Sequence, residues 1–206
     1  LRILPNLPGP RAPRVRRALR SASGPPGEEP YTLSIIWELE LGDGFPGVDL
    51  RVVATDAEPA VLERAPRARY QPATLKELPN EWIDAAFEER AEEAPGVDGD
   101  SEREARGTAD HPEDTMQLKS RFREPVELRE QDIRTEMPDG PFHLVFCRNL
   151  VFTYFADELQ AVLLADILER MTPGGVLVIG GHEELPEGKR PLEKMHRSHP
   201  IYRLVP

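Results

Sequence analysis

The sequence of 206 residues predicts an α/β fold with a mostly parallel β-sheet. Apolar strand-like runs alternate with helix-like runs along most of the chain, which is the pattern of such a sheet. A loop of small residues, 21–31, turns the first strand into the first helix, and the second strand ends at Asp56. A strand, a glycine-containing turn, a helix and an acid-ended strand are together typical of one half of a nucleotide-binding sheet.

The first half of the chain predicts two strands and three helices. The strands lie at residues 15–22 and 50–55, and the helices at residues 30–41, 59–65 and 75–90. The first helix is expected to stop before Gly42, because glycine favours helix ends. Pro59 suits a first helical turn, and Pro66 ends that helix.

The second half predicts five strands and one long helix. The strands lie at residues 116–122, 126–128, 142–149, 176–180 and 201–205, and the helix at residues 157–171. Residues 172–175 are expected to form the turn into the strand at 176–180, and the strand at 201–205 is expected at the edge of the sheet.

Length and composition limit the class of protein. A chain of 206 residues suits one domain with a sizeable core, and its single cysteine excludes an internal disulfide framework and fits a reducing compartment. The sequence has no apolar run long enough to span a bilayer and no secretory leader. We therefore expect a cytoplasmic protein without membrane insertion.

The net charge of −11 is unevenly distributed. Residues 84–114 contain twelve Asp or Glu and three Arg, whereas residues 1–20 contain six Arg and no acidic residue. We interpret residues 94–114 as an acidic disordered insertion, or alternatively as a docking surface for a basic partner. Residues 1–13 are interpreted as a basic, proline-rich linker to a domain at residues 14–206. The linker lacks interleaved aromatic residues, so we expect no nucleic-acid partner.

The loop before the first predicted helix is a candidate ligand site. Gly24 and Gly27 let the backbone pass close to a ligand, and a helix start offers unpaired N–H groups. Glu28 or Glu29 can accept hydrogen bonds there from a cation or a hydroxyl. The alternative is an ordinary helix N-terminus, where acidic residues are favoured by the helix dipole.

Two further candidates follow predicted strands. Asp56 stands where a nucleotide-binding sheet offers a carboxylate to a ribose diol, and its alternative role is to cap the helix that begins at Pro59. Arg148 and Asn149 follow a very apolar strand, which predicts a polar pair at the carboxyl edge of the sheet, or an ordinary strand exit. Tyr154 stands among aromatic neighbours, and this pattern taken alone is typical of an aromatic core stripe.

No metal site is expected. Cys147 is predicted to be a small buried core residue rather than a nucleophile. The five histidines have no metal-ligand spacing with acids or cysteine, and residues 182–184 are interpreted as a loop that lines the pocket.

Three segments together resemble the catalytic domain of the CheR-type protein-glutamate O-methyltransferases. They are Gly27-Glu28-Glu29-Pro30-Tyr31, Ala54-Thr55-Asp56 and Phe146-Cys147-Arg148-Asn149. The resemblance covers residues 14–205 and implies a Rossmann-like methyltransferase fold with helices on both faces of the sheet. It places the acidic segment where the family has a small β-subdomain, and it does not include the family's helical N-terminal domain.

The resemblance also implies roles for individual residues, with S-adenosylmethionine as cofactor. The implied cofactor-binding residues are Ser23, Gly24, Gly27, Glu28, Asp56, Asp132, Ile133, Arg148 and Asn149. Asp132 and Ile133 would lie beside the adenine. The implied catalytic residues are Arg148 and Tyr154, the latter close to the substrate carboxylate.

The function that the resemblance implies is O-methylation of glutamate carboxylates on a chemoreceptor-like protein. A carboxylate is already a nucleophile at neutral pH, so no strong general base is needed. Two alternatives stay open: a non-catalytic cofactor-binding sensor or scaffold, which Pro25-Pro26 favours, and a small-molecule O-methyltransferase. A nicotinamide-dependent oxidoreductase is disfavoured, because the loop lacks the G-x-G-x-x-G spacing.

Overall fold

The computed structural model describes residues 15–21, 28–91, 114–188 and 191–205. The strands in these ranges are β1 (Val15–Ser21), β2 (Asp49–Asp56), β3 (Arg69–Tyr70), β4 (Phe87–Ala91), β5 (Asp114–Leu118), β6 (Val126–Glu130), β7 (Phe142–Cys147), β8 (Met171–Ile179), β9 (Leu192–Lys194) and β10 (Ile201–Leu204). The α-helices are α1 (Glu28–Ile36), α2 (Pro59–Arg64), α3 (Pro72–Leu75), α4 (Asn80–Ala86), α5 (Ser120–Arg123), α6 (Val151–Tyr154) and α7 (Asp157–Glu169).

The main sheet has seven strands among the described residues, in the order β6-β2-β1-β7-β8-β10-β9. The strands from β6 to β8 pair in parallel, whereas β10 runs antiparallel to both β8 and β9. The predicted α/β fold with a mostly parallel sheet is therefore confirmed. A second sheet of three antiparallel strands has the order β3-β5-β4.

Both faces of the main sheet are covered. Val52, Val53 and Ala54 are buried in succession although neighbouring strand residues point to opposite faces. On one face, Val53 belongs to a core cluster that includes residues of β7, β8 and α7. Helix α1 contacts β2 and β6 and belongs to a second cluster, which includes Phe87 and Phe122 beside the small sheet.

Most predicted elements of the main sheet are confirmed to within a few residues. The first helix does stop before Gly42: α1 ends at Ile36 and continues as a π-helical segment at Trp37–Leu41. A separate 3-10 turn follows at Gly42–Gly44. The predicted turn at 172–175 lies inside β8, which begins by pairing Met171 with Phe142. A register shift follows, and regular pairing resumes at Val176.

The helix predicted at residues 75–90 is wrong at both ends: the short helix α3 ends at Leu75, and α4 covers only Asn80–Ala86. Phe87 has an extended backbone (φ −116°, ψ 162°), begins β4 and pairs with Leu118. Its ring is buried in the cluster around the small sheet, so tertiary packing outweighs the helical pattern. The strand predicted at 116–122 is also too long, because α5 begins at Ser120 and buries Phe122 completely.

Two further predictions need correction. The strand at Ile201–Leu204 is not an edge strand, because β9 pairs on its outer side and forms the edge of the main sheet. The short helix α6 and the strands β3 and β9 were not predicted. The linker at residues 1–13 and most of the acidic insertion at 94–114 lie outside the described residues, and Asp114, its predicted last residue, begins β5.

Candidate functional site

The carboxyl ends of the parallel strands meet at one edge of the main sheet. Ser21 of β1 lies opposite Thr55 of β2 and Cys147 of β7, and Cys147 lies opposite Ile179 of β8. The chain leaves these strands at neighbouring points, and the strand order reverses at β1, between β2 and β7. Open α/β sheets bind ligands at such a switch point.

Part of the predicted cofactor loop lies outside the described residues. These residues are Ser23, Gly24 and Gly27. Glu28 is the first residue of α1, and its side chain is also outside the description. The loop therefore remains a prediction, but its two ends are described: β1 ends at Ser21 and α1 begins directly after the loop.

Arg148 and Glu29 connect the end of β7 with the start of α1. Arg148 Nη1, just after β7, donates a hydrogen bond to Glu29 Oε1 in the first turn of α1 at 3.0 Å. Both side chains are half-buried, with 39% and 31% of their surface exposed. The predicted polar exit of β7 thus faces the helix start, where an acid also complements the helix dipole.

Asp56 ends β2 and is half-buried at the same edge. Its Oδ1 accepts a hydrogen bond from the N–H of Glu58 at 2.9 Å, in the turn that leads to Pro59 of α2. Its carbonyl accepts from the N–H of Gln131 at 3.0 Å, so the loop after β6 also reaches this point. Asp56 does not cap α2 as its alternative role expects, because Glu58 is the N-cap residue and no side chain caps that helix; Asp56 closes the turn before it. The carboxylate keeps further acceptor capacity because each oxygen can accept two hydrogen bonds.

Asp132 and Ile133 lie in the loop after β6, and their side chains differ in setting. The Asp132 carboxylate accepts hydrogen bonds from the Arg134 guanidinium, the shortest at 2.5 Å, and these, with the Arg134 N–H, hold the pKa of Asp132 below its usual range. Ile133 is buried and lines a small crevice together with Phe146 and the polar residues Thr55 and Glu136. Ile133 is packed into the core and Asp132 is engaged by Arg134, so their places beside an adenine stay predictions.

Asn149 lies at the junction of β7 and β8. Its backbone is left-handed (φ 55°), a conformation that asparagine tolerates better than most residues. A Cβ placed on Gly180, just after β8, would lie 2.5 Å from Asn149 Oδ1, so a larger residue there would displace the Asn149 side chain. Glu183 closes the junction: its Oε2 accepts from the N–H of Asn149 at 2.9 Å and from the N–H of Gly180 at 2.5 Å.

Tyr154 ends α6 and is exposed, with 73% of its surface accessible. The core-stripe alternative fails for this residue, although Phe152 is buried as that alternative expects.

The prediction that Cys147 is a core residue is confirmed, because its side chain is buried. Burial, aided by the negative charge of Glu183, raises the pKa of the Cys147 thiol to about 12, so it is protonated and not a nucleophile at neutral pH.

Two residues at this edge were not predicted to act. Thr153 of α6 donates its hydroxyl hydrogen bond to Glu183 Oε1 at 2.5 Å, and Glu183 was interpreted only as part of a pocket-lining loop. The available signal was the glycine pair before residue 182, which indicates a tight turn but not which side chain it buries.

The described ranges of the chain were searched for metal-binding groups and for membrane-spanning helices. Their His, Cys, Asp and Glu side chains form no group of three or more suited to hold a metal ion. Their helices include none that is long and apolar enough to cross a membrane.

Known proteins resemble the chain over most of its length. At 31% identity, the chemotaxis protein methyltransferase of Listeria monocytogenes matches 165 residues, which are 80% of this chain and 53% of that protein. The chemotaxis protein methyltransferases of Salmonella typhimurium and Escherichia coli are 30% and 28% identical over 166 residues, again 80% of this chain and 50% of each relative. The chain thus spans about half the length of these curated relatives.

Among solved structures, the glycopeptide N-methyltransferase MtfA complexed with sinefungin has a TM-score of 0.44 and 16% identity over 89% of this chain and 52% of its own. The family model described as "CheR methyltransferase, SAM binding domain" matches residues 10–103 and 100–201. The chain therefore belongs to the CheR methyltransferase family and carries its S-adenosylmethionine (SAM) binding domain.

Proposed function

We propose that this protein is a SAM-dependent methyltransferase that O-methylates glutamate side chains of a receptor-like protein in the cytoplasm. The observation that carries the proposal is the carboxyl edge of the sheet, where Asp56 ends β2 and Arg148 pairs with Glu29, in a chain of the CheR methyltransferase family. The relatives' names connect them with chemotaxis, and the single cysteine suits a reducing compartment.

The side chains at the edge fit the parts of SAM. The half-buried Asp56 carboxylate can accept hydrogen bonds from a ribose diol, which needs two acceptor positions. Arg148 and Glu29 present opposite charges 3.0 Å apart, which complements the carboxylate and the ammonium of an amino acid. Ile133 is proposed to contact the purine ring with the small part of its side chain that is exposed. The predicted binding roles of Ser23, Gly24, Gly27, Glu28, Asp132 and Asn149 are part of the same proposal.

Methyl transfer to a carboxylate requires alignment of the reacting groups rather than acid–base catalysis. When bound, SAM supplies a methyl group on a sulfonium, which a carboxylate oxygen takes in an in-line displacement that leaves the electron pair on sulfur. A glutamate carboxylate is ionised at neutral pH, so the chain need not remove a proton. Its task is to hold the carboxylate in line and to exclude water.

Tyr154 and Arg148 are the proposed contacts of the acceptor. Tyr154 is exposed at the end of α6, close in sequence to the β7 exit, and its hydroxyl can donate a hydrogen bond to the incoming carboxylate. Arg148 is partly exposed and offers a positive charge near the same exit. The pair would orient the carboxylate without protonating it.

A methyl-transfer assay tests the proposal. The chain is incubated with SAM carrying a labelled methyl group and with a glutamate-containing helical receptor fragment, and volatile methanol is measured after alkaline treatment. Base releases methanol from a carboxyl methyl ester but not from an N-methyl group. We expect labelled methanol from this fragment and none from a control fragment in which glutamines replace the glutamates.

Two other results would contradict the proposal and favour the alternatives. Binding of S-adenosylhomocysteine without transfer to any carboxylate would indicate a sensor or scaffold. Base-labile transfer to small carboxylic acids but not to the receptor fragment would indicate a small-molecule O-methyltransferase.

A further inference from the structure

Glu183 is an acidic residue that is buried in the described part of the chain. Five polar residues are buried there: Ser34, Thr55, Gln117, Gln160 and Glu183. Glu183, with 7% of its surface exposed, is the one among them that carries an ionisable side chain. Burying a carboxylate is costly unless hydrogen bonds replace its water, so its partners indicate why the fold retains it.

The partners come from three separate elements at the proposed site. Oε2 accepts from the N–H groups of Gly180, which follows β8, and Asn149, which follows β7. Oε1 accepts from the hydroxyl of Thr153 in α6, at 2.5 Å. The backbone of Glu183 adds a fourth link, since its N–H donates to the carbonyl of Gly180 at 3.1 Å.

These contacts fix a backbone that is otherwise easy to displace. Asn149 is left-handed, and Gly180 leaves space for the Asn149 and Glu183 side chains. Helix α6 is four residues long, too short to be stable through its own hydrogen bonds. The Glu183 carboxylate therefore ties α6 to the ends of two sheet strands.

We infer that Glu183 is a positioning residue, whose Oε2 sets the backbone of Asn149 on the cofactor side and whose Oε1 sets α6, with Tyr154, on the acceptor side. The inference rests on the proposed function for the roles of Asn149 and Tyr154. Glu183 itself is buried beneath the site and need not touch either ligand.

The two oxygens lead to different expectations for two variants. Glu183→Ala removes every acceptor, so S-adenosylhomocysteine binding should weaken at least about fivefold. Thr153→Val keeps the shape but loses the hydroxyl, so cofactor affinity should stay within about twofold, whereas kcat for methyl transfer should fall at least about fivefold.

Rescue and control variants separate positioning from general stability. In Glu183→Gln the amide oxygen can accept from both N–H groups and the NH₂ can donate to Thr153, so affinity and kcat should stay within about threefold of the parent. Glu184→Ala changes the exposed neighbouring acid and should resemble the parent. Amide hydrogen exchange at Asn149 and Gly180 should accelerate in Glu183→Ala and stay slow in Glu183→Gln.

The outcomes decide the matter. If Glu183→Ala melts earlier but binds S-adenosylhomocysteine as the parent does, or if Thr153→Val retains full kcat, the positioning role is overturned. If Glu183→Ala does not fold, the Glu183→Gln and Thr153→Val results still test it.

A parent that binds S-adenosylhomocysteine but transfers no methyl group overturns the proposed function alone, because the affinity and exchange measurements still decide the role of Glu183 on the cofactor side. A parent that fails to bind overturns both.

Discussion

Tyr154 at the proposed site is a large aromatic residue that is mostly exposed. A hydroxyl presented in this way can align a substrate carboxylate without contributing to the core. Tyr154→Phe should therefore lower kcat by roughly tenfold, the loss of about one hydrogen bond used in alignment. Calorimetry with S-adenosylhomocysteine should show unchanged cofactor affinity.

Val162 provides the matched control for this variant. It is exposed in the middle of α7 and has no predicted role in binding or transfer, so Val162→Ala should leave both kcat and cofactor affinity unchanged. Equal rates for Tyr154→Phe and the parent would reduce Tyr154 to a surface residue without a role in the reaction.

Cys147 predicts a specific dependence of stability on pH. Its thiol pKa is about 12 in the folded protein, against an ordinary value of 9.0. Above pH 9 the unfolded chain releases the thiol proton while the folded chain keeps it, so stability present below that pH is lost as pH rises towards 12. The expected loss from this group is about 1.4 kcal/mol per pH unit.

Urea unfolding of the parent and of Cys147→Ala, at pH 8 and again between pH 9 and 10, measures this loss. As the pH rises, the free energy of unfolding should fall more in the parent than in Cys147→Ala. Parallel pH dependences would show that burial does not raise the pKa of the Cys147 thiol.

At the scale of elements, the small sheet depends on packing more than on local propensity. Helix α5 has four residues, and Phe122 within it is fully buried among Tyr31, Ile35 and Phe87. Phe122→Ala should lower the free energy of unfolding by about 3–5 kcal/mol. Thermal or urea unfolding measures this effect, with exposed Val162→Ala expected within about 0.5 kcal/mol of the parent.

A small effect of Phe122→Ala would mean that the cluster beside the small sheet contributes little to folding. In that case the second core cluster would not be part of the cooperative unit that contains the main sheet.

The same elements show what the sequence can and cannot predict. Strands β2 and β7 were predicted because their apolar runs are long and end in polar residues, which local pattern reveals. Strand β4 was predicted as helix because its pattern is locally helical, and its pairing with β5 depends on residues across the acidic segment. Strand β9 has three residues, too few to leave a periodic signal, so β10 was placed at the edge.

The candidate site shows a similar division. Asp56, Arg148 and Asn149 were predicted because each directly follows a recognisable strand. Glu183 and Thr153 were not, because the signal is a contact between residues 30 apart rather than a local pattern. A buried carboxylate is recognised only when its donors are known.

At the scale of the whole molecule, the acidic segment interrupts the small sheet at a defined point. Ala91 of β4 pairs with Asp114 of β5, so the strands on either side of residues 92–113 are already neighbours. Composition predicts that the segment buries too little apolar surface to order itself. Replacing residues 92–113 by a two-residue Asn-Gly turn should therefore leave the melting temperature nearly unchanged.

Limited proteolysis gives an independent check, since cleavage of the parent should occur first within residues 92–113. A large loss of stability in the shortened chain would show that the segment packs against the rest of the protein.

The most direct measurement is calorimetric titration of the chain with S-adenosylhomocysteine, alongside the variants Asp56→Ala and Asp49→Ala. Asp56 and Asp49 stand at opposite ends of β2, so Asp49→Ala controls for the loss of an acid from the same strand. We expect the parent and Asp49→Ala to bind equally at one site, and Asp56→Ala to bind roughly 10- to 150-fold more weakly, the loss of a charged hydrogen bond. Absence of binding by the parent, or equal affinity of Asp56→Ala and the parent, would contradict a cofactor site at the carboxyl edge of this sheet.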